Sequence, residues 1–289
     1  MAFLQFNLFA FVRVTKSQPK TVLNHFYPKI PIMPKTNPAI EKLAQALAAS
    51  IEQNCNALSK AAVLFSGGVD SALIAKAASQ KIPKTVLFVS GFSGSSALGS
   101  AEHGAKQLRL SLIKIILSEK KLKKAIPKIK KIIKTNSPVH LQIALPIYFA
   151  MQAAKRTGFK HVFTGMGADE LFLGYDYFRR AFNGKNTAAI KKLQKEKLGT
   201  FWKTDFARDS AIAKALGLRL HAPFLFPAFM KAALMLPIKR NLHSKKDVLR
   251  KHALRSLALH LGIPQEISFK RKKAVQYDSG VSKRWKKMI

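Results

Sequence analysis

The stretch Ser66-Gly67-Gly68-Val69-Asp70-Ser71 brings two hydroxyls, two adjacent glycines and a carboxylate together. Before it stands Ala62-Val63-Leu64-Phe65, an apolar run with the length of a buried strand. After it, Leu73, Ile74, Ala77 and Ala78 recur at helical spacing. A strand that turns at once into a helix aims the unpaired N–H groups of the helix start, and the positive end of its dipole, at one point. That point seats an anion, and glycines let the main chain approach it without a Cβ in the way. Asp70 would repel a bare anion, so the loop makes chemical sense if a Mg2+ stands between carboxylate and phosphate. The competing reading of the glycine pair is a strand–turn–helix joint that binds nothing. The common ATPase signature G-x-x-x-x-G-K-S/T occurs nowhere in the chain.

A second loop, Thr164-Gly165-Met166-Gly167-Ala168-Asp169-Glu170, follows the apolar stretch at 161–164. It approaches G-x-G-x-x-G, but Glu170 replaces the third glycine and no acid lies between Phe182 and Lys195, so the dinucleotide fingerprint is incomplete. It sets Asp169 and Glu170 just beyond a strand end. If the two strands are neighbours, Asp70 and Asp169 can share a Mg2+ on a leaving pyrophosphate.

The elements that must position these loops alternate. Strands are expected at 61–66, 85–90, 111–117 and 161–164, with helices near 71–80, 100–108, 119–134 and 139–156. This order implies an α/β fold with a doubly wound parallel sheet, in which ligands bind at the carboxyl ends of the strands. Asn37-Pro38 reads as a cap and first turn for a helix over 38–54, with Ile40, Leu43, Ala44, Leu47 and Ile51 as its apolar stripe. Beyond about 186 the strand signals vanish, which predicts a helical C-terminal part on the ligand edge of the sheet. Residues 119–134 combine Leu122, Ile126, Ile129 and Ile133 with many lysines, the pattern of an amphipathic surface helix, with a membrane or RNA face as the other reading. Pro127 is expected to break it in two. Residues 15–38 carry five prolines among polar residues and read as a linker, so 1–36 are an N-terminal extension and 37–289 the folded domain. Within the extension, Ala2–Val12 reads as an extra strand, a surface segment or sequence upstream of a start at Met33.

Composition narrows the partners. The 289 residues carry 51 Lys+Arg against 14 Asp+Glu, a net charge of +37. Such a charge attracts polyanions, RNA included, but the lysines are scattered and not gathered in one arm, as solvated faces of a basic proteome would be. The few acids are informative by contrast: Asp70, Asp169, Glu170, Asp176, Asp205 and Asp209 fall in or near the candidate motifs. Cys55 is the only cysteine, so a disulfide framework and a Cys-based zinc site are excluded. This suits a reducing cytoplasm, the expected location. Cys55, near a helix end, reads as a packing residue. No run of about 20 apolar residues is present, so no membrane span is expected. His25, His103, His140, His161, His243, His252 and His260 show no H-E-x-x-H or other metal spacing.

The two loops also carry a family resemblance. SGGVDS resembles the pyrophosphatase loop of ligases and thiolases that split ATP into AMP and pyrophosphate. FTGMGADELFLGYDYF resembles the TGEGADELFGGY signature of the asparagine synthetase synthase domain. VHLQIALPIYFAMQAA, RDSAIAKALGLRLHAPFL and KRKKAVQYDSGV resemble further segments of that family in the same order, and the resemblance covers about 38–285. It implies the adenine nucleotide α-hydrolase (PP-loop) fold. It implies ATP and Mg2+ as cofactors, and conversion of a carboxylate, aspartate in the family, into an acyl-adenylate that ammonia attacks to give an amide. By position, Ser66, Gly67, Gly68, Val69, Asp70 and Ser71 would cradle pyrophosphate. Asp70 and Asp169 would hold the metal, and Leu64 and Gly165 would line the adenosine site. Glu170 would accompany Asp169 at the nucleotide. Lys273, or Lys272 one position earlier, would steady the phosphates in the transition state. The chain departs from the pattern in three places. Ala2 follows Met1 where the family's glutaminase half would begin with Cys, so ammonia is expected from solution or a separate glutaminase subunit, unless ammonia is not the nucleophile at all. Met166 replaces a glutamate near the incoming nucleophile. Arg219, His221 and Phe226 replace Glu, Arg and Asp, which leaves aspartate open as substrate. A tRNA-modifying enzyme on the same loop, favoured by the charge, and a nucleotide- or RNA-binding relative without catalysis are the alternatives.

Overall fold

Strand β1 (Lys60–Leu64) is the apolar run that precedes the first loop, and it lies at the centre of a sheet. In the computed structural model, which describes residues 37–55, 57–271 and 274–287, the sheet has five strands in the order β3-β2-β1-β4-β5. The others are β2 (Lys84–Gly91), β3 (Ser111–Ile116), β4 (His161–Phe163) and β5 (Arg219–His221), and every neighbouring pair is parallel. The helices are α1 (Pro38–Cys55), α2 (Val69–Ser79), α3 (Ser96–Leu108), α4 (Glu119–Ile133), α5 (Pro138–Arg156), α6 (Ala168–Leu171), α7 (Asp176–Ala181), α8 (Thr187–Phe201), α9 (Ala207–Ala215), α10 (Pro227–Leu234) and α11 (His252–His260). Short helical turns follow at Gln265–Ser268, Val275–Asp278 and Val281–Arg284. This is the doubly wound parallel sheet that the alternation of elements predicts.

The strand order reverses beside β1. The chain runs outward from β1 through β2 to β3, then returns to place β4 on the other side of β1. Such a reversal opens a crevice at the strand ends, where doubly wound sheets bind ligands. The first loop leaves β1 and the second leaves β4, so the switch point falls between them.

Packing follows the patterning. In α1, Ala39 donates its N–H to Asn37 Oδ1 at 3.0 Å, which caps the helix as expected. The stripe residues Ile40, Leu43, Leu47 and Ile51 are buried, each contributing about 1.5–3 kcal/mol. Cys55 is buried beside them, and burial pushes its thiol up to about 11, which suits an inert packing residue. On the sheet, Phe88 meets Phe159 edge-on at 5.4 Å, in a core shared with Leu145 and Met151 of α5 and Leu122, Ile126 and Ile129 of α4.

Two expectations need correction. Helix α4 runs unbroken through Pro127. Pro127 and Lys123, whose carbonyl loses its helical partner, are both exposed, so water can satisfy that carbonyl. And the part of the chain after 186 is not purely helical: β5 pairs His161 with Arg219, Val162 with Leu220 and Phe163 with His221. Three residues are too few to show a period, and only the edge of β4 calls them into a strand. The reading of residues 1–36 as an extension falls outside the described residues.

The β4–β5 pair carries a pH response. His221 stacks on Phe163 at 4.6 Å between centroids, and its Nε2 lies 2.9 Å from His161 Nδ1. Burial, with His161 and Arg219 nearby, pushes the His221 ring from 6.5 down to about 4. The folded state therefore refuses a proton that the unfolded chain accepts. Stability is complete above about pH 6.5 and falls as pH drops toward about 4, by at most about 3 kcal/mol, less what partial exposure relieves. Urea midpoints at neutral and mildly acid pH should show this loss, and His221→Gln should shrink it.

Candidate active site

A cavity of about 580 Å³ opens at the switch point. Leu64, Ser66, Gly68, Val69, Asp70 and Ser71 line it from the first loop, and Thr164, Gly165, Met166, Gly167, Asp169 and Glu170 from the second. Its acids are Asp70, Asp169, Glu170, Asp205, Asp209 and Asp278, matched by Lys197, Arg208, Lys251, Arg255, Lys270 and Arg271. In a chain of net charge +37 this balance is local, and it lets the cavity hold cations as well as anions.

The first loop is knit by its own hydroxyls. The Ser66 N–H donates to Ser71 Oγ at 3.2 Å, and Ser71 Oγ donates to the Gly68 carbonyl at 3.1 Å. Gly68 caps α2 with no side chain to close the helix end. Gly67 has φ +68°, and a Cβ there would lie 2.1 Å from the Ser100 carbonyl oxygen. Glycine is needed both for the conformation and for the close approach. The two loops touch: a Cβ on Gly165 would lie 2.9 Å from the Asp70 carbonyl carbon.

Asp70 and Asp169 converge on one cation, the ammonium of Lys251. Its Nζ lies 2.9 and 2.7 Å from the two Asp70 oxygens and 2.8 Å from Asp169 Oδ1. The lysine side chain is only 3% exposed. Burial works against its charge, but Asp169 and Asp70 outweigh that and hold the ammonium above its usual range. An unpaired ammonium so deep would cost several kcal/mol, so the two carboxylates are required.

Lys251 is held in place by backbone strain and by a buried arginine. Arg250 and Lys251 both have left-handed backbones, φ 52° and 53°, at the start of α11. Asp247 pins this turn: its Oδ1 accepts from the N–H groups of Leu249 and Arg250 at 3.2 and 3.0 Å. Its Oδ2 accepts from the His243 N–H at 2.9 Å and lies 2.8 Å from His252 Nε2. These bonds, above all the one with His252, hold the Asp247 carboxyl well below the usual range although burial opposes them. Arg255, one helical turn after Lys251, donates to the carbonyls of Arg250, Leu249, Ser268 and Lys270 at 2.8, 2.7, 2.6 and 3.1 Å. It thereby joins the Lys251 turn to the segment that leads into Lys272 and Lys273. Both of those lysines, proposed from the resemblance, lie outside the described residues.

On the far wall, Tyr175 donates its hydroxyl to Glu170 Oε1 at 2.9 Å. Burial, reinforced by Asp169 and Glu170, raises the Tyr175 phenol far above its ordinary value, so it remains a donor. Arg208 pairs with Asp205 at 2.5 Å and Asp209 at 2.8 Å. Residues Trp202–Phe206 form a π-helical turn between α8 and α9, which carries Thr204 and Asp205 into the cavity wall. Met166 lies in the lining, so the missing glutamate alters the cavity itself. Arg219, His221 and Phe226 are not among the lining residues.

Sequence reading missed Lys251. In a chain with 51 Lys+Arg, only its i, i+4 relation to Arg255 at a helix start distinguishes it. It also missed that His243 and His252 meet: their rings stack at 3.8 Å, beside Asp247.

Gly174 shows how closely the site is built. A Cβ there would lie 2.0 Å from Asp169 Oδ1 and 2.1 Å from Lys251 Cε. Gly174→Ala is expected to separate that ion pair and cost about 1–3 kcal/mol of stability through overpacking. Thermal unfolding measures that cost, and a ligand-binding assay reports the damage to the cavity.

Comparisons with known proteins give one family. The family described as Asparagine synthase matches residues 42–204 and 183–288. "Putative asparagine synthetase (glutamine-hydrolyzing) 1" of Methanocaldococcus jannaschii is 32% identical over 274 residues, covering 85% of this chain and 50% of that protein. Asparagine synthetase B (glutamine-hydrolyzing) of Escherichia coli is 27% identical over 258 residues, covering 84% of this chain and 45% of that protein. The chain thus spans about half the length of these curated relatives. Among solved structures, NMN synthetase from Francisella tularensis aligns at 15% identity over 82% of this chain and 77% of that one, with a TM-score of 0.46. With a family match running from the first helix to the C-terminal turns and both loops at one switch point, the chain belongs to the asparagine synthase family.

Proposed function

We propose that this protein is an ATP-dependent amide-forming ligase that activates a carboxylate as its adenylate. The observation that carries this reading is the convergence of Asp70 and Asp169, from loops at neighbouring strand ends, on one cation position beside an anion seat. A substrate carboxylate oxygen attacks the α-phosphorus of ATP in line. The bond from that phosphorus to the bridging oxygen breaks, and pyrophosphate leaves with the electron pair. An amine nitrogen, ammonia in the simplest case, then attacks the acyl carbon. It loses a proton as AMP departs.

Catalysis of the first step is mainly positioning and charge stabilisation. The N–H groups at the start of α2, with Ser66 and Ser71, hold the departing pyrophosphate. Lys251, together with the Lys273 that the family resemblance assigns, neutralises its growing charge. The two carboxylates already suit a shared cation, so Asp70 and Asp169 are the residues that would hold Mg2+. When bound, Mg2+ adds further neutralisation of the phosphates. Leu64 and Gly165 flank the nucleoside side of the cavity. With Met166 in place of an acid, the proton from the amine goes to another group, and Asp169 and Glu170 are the carboxylates that the same loop brings to the cavity.

Aspartate is the first substrate to test, with ammonia free or supplied by a separate glutaminase subunit, since relatives of this chain are named as glutamine-hydrolyzing. Pyrophosphate and AMP are measured across a panel of carboxylates, each with and without ammonia. Release that depends on one carboxylate, with the matching amide formed, is expected. Release indifferent to every carboxylate, or none at all, would overturn the reading. Among the described residues no helix is long and apolar enough to cross a membrane.

A further inference from the structure

Outside the cavity, one cluster of side chains has the chemistry of a metal centre. His243, Asp247 and His252 each offer a ligand atom, and the three atoms lie within 4.8 Å of one another. We propose that these residues bind a borderline divalent ion of the zinc type, which clasps the two ends of the turn that presents Lys251. The proposal does not depend on the reaction assigned to the cavity.

The Asp247–His252 pair is close to the geometry of a bound state. His252 Nε2 and Asp247 Oδ2 are 2.8 Å apart. Adjacent ligands on an ion with bonds of about 2.0–2.1 Å stand about 3.3 Å apart in a tetrahedral site. A small opening of this contact admits the ion: the proton on His252 Nε2 moves to Nδ1, and the freed Nε2 lone pair passes from hydrogen bonding to coordination. Asp247 is already fixed by the N–H groups of His243, Leu249 and Arg250, so the carboxylate needs little ordering. His252 is buried, and its Nδ1 has no hydrogen-bond partner among the described residues. The Nε2 side is therefore what holds this ring.

His243 is the movable member. Its ring stacks on His252 with 4° between the planes, so the lone pairs of the two rings lie in parallel planes and do not yet meet. His243 is exposed, and rotation about its side-chain torsions turns a ring nitrogen toward the other two ligands. The fourth position then belongs to water. Two imidazole nitrogens and one carboxylate oxygen suit zinc and its neighbours. Mg2+ and Ca2+ prefer oxygen alone.

The consequence reaches the cavity. Residues 243 and 252 bracket the turn, and Lys251 directly precedes His252. An ion that joins His243 to His252 closes that turn at its base and fixes the strained pair Arg250–Lys251.

The test is calorimetric titration of Zn2+ into the untagged full-length chain, with excess Mg2+ present. Saturable binding of one Zn2+ per chain is expected. His243→Ala, an exposed change that should fold normally by circular dichroism, should weaken it by at least the roughly 10–100-fold that loss of an outer-shell partner costs. His103→Ala, an exposed histidine elsewhere, should leave it unchanged. Co2+ titrated into the same protein should develop the visible absorption of a low-coordinate nitrogen–oxygen site, absent from His243→Ala. No saturable Zn2+ binding, or equal affinity in His243→Ala, would overturn the proposal.

Discussion

Lys251→Met is expected to lower pyrophosphate release by about 10²–10³-fold. The substitution keeps the length of the side chain and removes the ammonium that joins Asp70 to Asp169. Breaking a buried pair by removing one partner costs about 3–5 kcal/mol. Here the loss is smaller to the extent that Asp70, at 24% exposure, can recruit water. The two carboxylates are then left facing each other with no cation between them. Added Mg2+ should therefore raise the melting temperature of Lys251→Met more than that of the wild type. A variant that releases pyrophosphate at the wild-type rate would show that the Lys251 ammonium serves the fold alone.

Asp70→Asn has a comparable effect on turnover and a smaller one on stability. Asparagine has nearly the same shape, and Lys251 keeps its partner Asp169. The carboxylate that would face the metal is lost, so pyrophosphate release should fall by at least about 10²-fold. Binding of a non-hydrolysable ATP analogue should weaken in the presence of Mg2+ and change little in its absence. Thermal unfolding and analogue binding, measured on one preparation, separate a lost ligand from a lost fold. An active Asp70→Asn enzyme would remove the first loop from the chemistry.

What the sequence revealed, and what it withheld, has a physical pattern. The two loops were legible because their chemistry is local: hydroxyls, glycines and a carboxylate sit within a few residues of a strand end. Their meeting was legible only on the condition that their strands are neighbours, which the pairing of β1 with β4 supplies. Strand β5 was not, since three residues take their conformation from the edge of β4. The continuity of α4 depends on which side of the helix Pro127 faces, a property of packing. Lys251 was hidden among many similar residues, and its role comes from burial between acids that are 181 residues and 82 residues away in sequence. His243 and His252 meet through a turn that Asp247 organises, and no regular spacing announces such a turn.

The central claim is that the two acidic loops act as one unit on the phosphates, and a double-mutant cycle tests it most directly. Pyrophosphate release is measured for wild type, Asp70→Asn, Asp169→Asn and the double variant, with folding verified for each. Residues sharing one partner are strongly coupled, so the double variant should lose little more than either single one. Two losses that simply multiply would contradict the account, because they would mean that Asp70 and Asp169 act on separate steps or separate ligands.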